Sequence, residues 1–239
     1  MINLRGLRTA AAYFSFFFIF GAFLLGTLWF VGSDSVIMSS LFSRLSSYQA
    51  AGITESASDE TARAIGGYLR GNTDKLSLVT EINGQTAEFF EEKSAAHMVD
   101  VRALFFLCAK VALISALVGV LLLLSLKPLK AKRLNVGKGM LCAGLSWLLL
   151  LLLLLAVCLI DFTTAFEAFH RVFFTNDLWL LSAKTSALIR IMPEKLFVYY
   201  GAILLLALCA GLAALLISGS RIWSKARAEL KKSGEREKA

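Results

Sequence analysis

This chain of 239 residues has two imidazoles, His97 and His170. Imidazole ordinarily titrates near neutrality, so either residue can take or give a proton at physiological pH. Asp100 follows His97 by three positions and shares its helix face, which Leu104 continues. A carboxylate there can orient the imidazole and raise its basicity. It can equally cap and solvate a helix start beside an interfacial histidine. His97, Asp100 and His170 also make a three-ligand set with one open position, as a metal-dependent lipid hydrolase would use. The four cysteines, Cys108, Cys142, Cys158 and Cys209, lie in apolar stretches and are spaced for packing, not as CxxC pairs.

The second histidine has aromatic company. Phe162, Phe166, Phe169 and Phe173 recur at steps of four, three and four, an aromatic stripe for a helix lying at a membrane interface. His170 sits on the flank of that stripe, one turn after Phe166. Asn176-Asp177 reads as a turn, and Trp179 suits the headgroup region. Pro193-Glu194 then opens the approach to the next apolar stretch, proline being tolerated in a helix's first turn. Such stripes commonly serve packing alone. Here, helices entering from two separate loops would bring both histidines to one depth.

The elements that hold these residues are membrane spans. Hydrophobic residues make up 57% of the chain and its mean hydropathy is +0.69, against about 45–50% apolar residues in ordinary soluble domains. The excess falls in stretches at 10–32, 103–126, 139–160 and 197–219, almost free of charge. Each reaches the roughly 20 residues that cross about 30 Å of hydrocarbon. This excludes a soluble enzyme, a secreted disulfide scaffold and a nucleic-acid-binding domain. The first stretch is too long for a signal-peptide core and reads as an uncleaved anchor. Lys110 is the one charge inside a span; such a residue is a functional candidate, or a lysine whose stem snorkels outward.

Charge sorts the segments between the spans. Arg5 and Arg8, the link 127–138 and the tail 220–239 are strongly basic, whereas segments 33–102 and 161–196 together carry 14 acids against 10 bases. Basic flanks stay in the cytoplasm, so both termini are expected inside and both larger segments outside. Within the cap, 33–102, Ala62, Ile65 and Leu69 mark a short amphipathic helix over 58–69. Two apolar runs around Asn83-Gly84 mark a β-hairpin. The expected fold is therefore an all-α membrane protein: four transmembrane helices, a small extracytoplasmic cap of one short helix plus a β-hairpin, and an interfacial aromatic helix in 161–196. The basic tail reads as a topology signal on anionic lipid.

On these residues the chain resembles a bacterial four-span family, the one that includes the lipoprotein intramolecular transacylase Lit. His97-Met98-Val99-Asp100-Val101 is similar to its H-M-x-D-V motif. Asp161-Phe162, Phe166, Phe169-His170, Phe174, Asn176 and Trp179 resemble its D-F…F-H…F-x-N-x-x-W motif. Leu188-Ile189 and Pro193-Glu194 resemble its L-I-x-x-x-P-E ending, and Tyr68-Leu69-Arg70-Gly71 a shorter Y-L-x-G element. The chain departs from the family at Ser182-Ala183-Lys184, where a proline is common, and at Lys195, where an apolar residue is usual.

The resemblance implies an acyltransferase acting at the outer face of the bacterial plasma membrane on a diacylated lipoprotein, with membrane lipid around it and no cofactor or metal. The sn-2 acyl chain moves from the diacylglyceryl group to the α-amine of the lipoprotein's N-terminal cysteine, leaving the lyso-form. The substrate's own amine is the nucleophile. It implies His97, oriented by Asp100, as base, and His170 as oxyanion stabiliser or acid, two roles that can be exchanged. Asn176, Arg102, Trp179, Phe166 and Phe173 are the candidate substrate contacts. The rival readings are the metal-dependent hydrolase on His97, Asp100 and His170, and a non-enzymatic protein binding lipid or a lipoprotein.

Overall fold

A computed structural model describes residues 4–126 and 132–236. The start of the expected basic link, and Glu237 and Lys238 of the tail, lie outside the described residues. Four long helices dominate: α1 (Leu4–Ser33), α5 (Glu92–Ser125), α6 (Lys132–Ile160) and α9 (Glu194–Arg236). All four are long and apolar enough to cross a membrane. Between α1 and α5 lie α2 (Ser35–Leu45), α3 (Ser47–Ala51), α4 (Glu55–Arg70) and the strands β1 (Val79–Ile82) and β2 (Gln85–Glu88). Between α6 and α9 lie α7 (Phe162–Phe173) and α8 (Ala187–Ile191). The molecule is thus a multi-pass helical membrane protein with a small cap, and its packing divides into two compact units.

One unit comprises residues 1–25, 111–160 and 206–239. Its helices offer lipid a surface of leucines: Leu149, Leu152, Leu153 and Leu154 of the 148–155 run are all exposed. Lipid tails are as apolar as leucine, so hydrophobicity does not drive these helices together, and close packing and polar contacts must do so. Gly137 and Gly139 provide the close packing. A Cβ on Gly137 would meet the backbone nitrogen of Trp223 at 2.5 Å, and one on Gly139 would meet Ala12 at 2.6 Å, so α6 can touch α9 and α1 only with hydrogen at these positions. The polar contacts tie neighbours to α1. Ser15 Oγ donates to the Gly119 carbonyl at 2.6 Å, and Trp147 Nε1 donates to the Phe17 carbonyl at 3.0 Å. The Trp147 ring stacks on Phe17 at 4.8 Å.

The other unit, residues 26–110 and 161–205, holds the cap and both histidines. Its core is built on fully buried Met38 and Phe42 of α2, Ile65 of α4, Phe89, Ile191 of α8 and Leu196 of α9. Ala62, Ile65 and Leu69 of the amphipathic helix all point inward, as their spacing predicts. Thr54 caps α4 by accepting from the Ala57 amide, and the helix therefore starts three residues before the expected Ser58. The hairpin pairs Ile82 with Gln85, and Asn83 (φ 51°) and Gly84 (φ 80°) adopt the two positive φ angles of a type I′ turn. The Asn83 amide donates to the Gly52 carbonyl at 2.8 Å, which docks the turn on the end of α3.

The cap also contains α2 and α3, two helices the serine-rich sequence does not announce. Asp34 starts α2, accepting from the amides of Val36 and Ile37. Its carboxyl lies below the ordinary range, chiefly through the Ile37 amide and also through Arg70, while partial burial opposes the shift. Arg70 Nη2 reaches Asp34 at 3.2 Å and Nε donates to Ser33 Oγ at 3.1 Å. The Tyr68-Leu69-Arg70-Gly71 element thus ties α4 to the end of α1. Gly71 closes α4 at φ +83°, and a Cβ there would lie 2.9 Å from the Phe106 ring, so both backbone and space require glycine.

Candidate active site

The first turns of α5 carry Glu92, Lys93, Asp100 and Arg102, charges that hydrocarbon does not accommodate, so His97 precedes the apolar stretch starting at 103. His170 stands in the last turn of α7. The imidazole centroids lie 6.1 Å apart, and both residues are 8% exposed. Phe174 bridges them, edge-on to His97 at 5.1 Å and 5.5 Å from His170. Phe166 lies 4.3 Å from the His170 ring, and Trp179 stacks on it at 5.1 Å. Phe169 and Phe173 of the stripe are half-exposed at 43% and 52%, so the stripe presents aromatic surface outward while His170 turns in.

Three cross-links fix α5 to the segment that follows α7. Asn176 Nδ2 donates to Asp100 Oδ2 at 2.9 Å, Lys93 Nζ donates to the Leu180 carbonyl at 2.6 Å, and the Ser94 and Ser186 hydroxyls lie 2.8 Å apart. Asn176 also accepts from the Leu178 amide at 3.0 Å, forming the turn expected at Asn176-Asp177. Lys93, Ser94 and Ser186 are not among the site residues expected from sequence. Their types are ordinary for interfacial helices, and only separations of about 90 residues brought together by folding give them a role.

The two imidazoles differ in state. His170 Nδ1 lies 2.7 Å from the Phe166 carbonyl oxygen, which can only accept, so the proton sits on Nδ1 and the Nε2 lone pair is free. His97 is different. Its Nδ1 is buried without a hydrogen-bond partner among the described residues. Burial, reinforced by His170 and opposed by Asp100, lowers its pKa from 6.5 to about 4, so it is neutral at physiological pH.

Two sequence expectations change here. Asp100 does not hydrogen-bond His97; its carboxylate is engaged by Asn176, and it acts on the imidazole through charge that burial outweighs. Arg102, expected among the substrate contacts, lies 4.7 Å over the Tyr68 ring and 5.2 Å over Phe106, and donates to the Asp74 carbonyl at 3.3 Å. Five residues beyond His97, at 100° per residue, it emerges on a different side of α5. Lys110 is exposed and has no partner among the described residues, in keeping with a snorkelling stem. Among the described residues, no group of three His, Cys, Asp or Glu side chains is arranged to hold a metal ion.

Two buried imidazoles, packed among aromatic rings and carried by two helices of a multi-pass membrane protein, make up the candidate site. Comparison with known proteins makes this specific. The sequence profile of the lipoprotein intramolecular transacylase Lit matches residues 12–197, and the chain belongs to that family of acyltransferases. The fold is similar to that of the membrane-integral lipoprotein intramolecular transacylase Lit from Bacillus cereus, at 20% identity and a TM-score of 0.63, covering 98% of this chain and 100% of that one. Two structures of that protein with one histidine replaced, by arginine or by alanine, match with TM-scores of 0.62, covering 95% and 96% of those chains. No curated protein sequence matches the chain.

The Asn176–Asp100 bond yields a first prediction. Asn176→Ala frees the carboxylate beside His97 and loosens the loop carrying Trp179, with little loss of buried surface. A hydrogen bond to a charged group is worth about 1.5–3 kcal/mol, so the transacylation rate is expected to fall about tenfold while Tm changes little. Asn176→Asp, which sets two carboxylates against each other, is expected to fall further. Initial rates on a diacylated lipopeptide check both.

Proposed function

We propose that this chain transfers the sn-2 acyl chain of a diacylglyceryl lipoprotein to the α-amine of its N-terminal cysteine, with His170 as general base and His97 as oxyanion donor. This reverses the assignment expected from sequence. The observation that carries the proposal is the pair of imidazoles 6.1 Å apart, one with its tautomer pinned and the other neutral.

The substrate amine has an ordinary pKa near 8 and must be neutral to attack. His170 Nε2 takes the proton released as the C–N bond forms, and the Phe166 carbonyl and the α7 terminus stabilise the resulting imidazolium. Neutral His97, with Nδ1 sealed, offers Nε2–H to the tetrahedral oxyanion. The same His170 proton then passes to the leaving glyceryl oxygen as the acyl C–O bond breaks. Attack closes a ring of about eight atoms, and a pocket that holds the headgroup and acyl chain together removes much of the entropic barrier. Trp179, Phe166 and Phe173 supply the aromatic wall for the lipid part. Asn176 holds Asp100. Arg102 shapes the cap side of α5.

The membrane orientation follows the charge pattern: both termini cytoplasmic, the cap and histidines extracytoplasmic in the bacterial plasma membrane, where exported lipoproteins reside. The test is mass spectrometry of lipoprotein N-terminal peptides from a host lacking other N-acylation. Lyso-form peptides bearing an N-acyl chain are expected only when the protein is present. Peptides that stay diacylated despite abundant protein in the membrane overturn the proposal.

A further inference from the structure

The unit that lacks the histidines contains a cavity of about 620 Å³ between the first turns of α1, the first turns of α6 and the later part of α9. Thr9, Tyr13, Asn135, Lys138 and Trp223 give it a polar and aromatic wall, Cys142 and its aliphatic neighbours an apolar one, and no carboxylate among the described residues lines it. Asn135 is buried at 7% exposure. Its carboxamide oxygen accepts from Thr9 Oγ1 at 3.4 Å, and its amide nitrogen has no acceptor among the described residues. Lys138 is exposed and has no carboxylate partner among the described residues, although Arg133, five residues earlier on α6, is paired with Glu229 at 3.5 Å. The cavity therefore combines a free ammonium, unpaired amide donors and an apolar wall.

Its depth says what belongs there. The apolar stretch of α1 begins at 10, that of α6 at 139, and that of α9 ends at 219. Thr9, Lys138 and Trp223 thus stand where hydrocarbon gives way to water on all three helices. Indole rings favour that level, and basic pockets between membrane helices bind anionic headgroups. We infer that this cavity binds the phosphate headgroup of an anionic phospholipid, with Lys138 and Asn135 on the phosphate and the apolar wall against the glycerol and acyl root. This is a second lipid site, sharing no residue with the one where acyl transfer is proposed, and it does not rest on that reading.

The test is native mass spectrometry of the purified full-length protein with phosphatidylglycerol or phosphatidylcholine. One phosphatidylglycerol is expected to stay bound, about tenfold tighter than phosphatidylcholine. Lys138→Gln and Asn135→Leu are each expected to weaken it about tenfold, and Lys138→Arg to restore it. Lys225→Ala, which removes an exposed charge from the same basic end of α9, is expected to leave binding unchanged. Equal retention by the Lys138→Gln variant overturns the site. So does an equal loss in Lys225→Ala, which would assign the attraction to the basic face as a whole. Displacement by millimolar inorganic phosphate would overturn the lipid as occupant.

Discussion

Replacing His170 with alanine is expected to slow transacylation by about 10²–10⁴-fold, the usual worth of a positioned general base. Replacing His97 with alanine is expected to cost about 10²–10³-fold, the usual worth of one oxyanion donor. Two alanine variants would not separate the roles, because each removes a ring from the same pocket. Glutamine does. At position 97 its carboxamide still offers an N–H to the oxyanion, and Nδ1 of the lost ring had no partner to miss. At position 170 a carboxamide cannot take a proton, whatever bond it makes with the Phe166 carbonyl. The expected outcome is that His97→Gln keeps activity within about tenfold of the parent chain while His170→Gln is as slow as His170→Ala. Initial rates of N-acyl product on a diacylated lipopeptide measure this. The opposite pattern would return His97 to the role of base.

The two histidines could be found from sequence because their surroundings are local. Four apolar stretches fix which segments lie at the interface, and the Phe162–Phe173 spacing fixes a helix that delivers His170 beside Phe166 four residues earlier. The Asn83-Gly84 turn and the inward face of α4 are local too. What sequence could not give depends on partners far along the chain. Asp100 is in reach of His97 by helix spacing, yet Asn176, 76 residues away, takes its carboxylate. Arg102 reads as a substrate contact by its place near His97, yet its guanidinium lies over the Tyr68 and Phe106 rings. The serine-rich sequence does not announce α2, whose capping residue Asp34 is held by Arg70, 36 residues away. Base and donor could not be told apart for the same reason. The choice turns on a carbonyl behind one ring and on the burial of the other, and spacing reports neither.

Burial of His97 also makes the fold sensitive to acid in a defined window. In the unfolded chain this histidine titrates near 6.5, and in the folded one near 4. Between those values the unfolded state binds the proton and the native state does not, so protonation favours unfolding. The contribution is fully present above about pH 6.5, declines as pH falls, and is lost by about pH 4. Asp34 acts in a separate range: its carboxyl is held below its ordinary 3.8, so its stabilisation disappears only in stronger acid. The groups facing His97 are His170 and Asp100, and both remain in a His97→Phe variant, which keeps an aromatic ring among Phe174 and its neighbours. The detergent-solubilised parent chain is therefore expected to lose on the order of 5 °C more in Tm than His97→Phe between pH 7 and pH 4.5, the size given in a chain of this length by the part of that shift, about two units, that falls inside the window. Parallel Tm curves for the two chains across that window would mean that His97 titrates near 6.5 in the folded protein. A neutral His97 donor could not then be sustained at mildly acidic pH, and the division of labour between the two imidazoles would have to be redrawn.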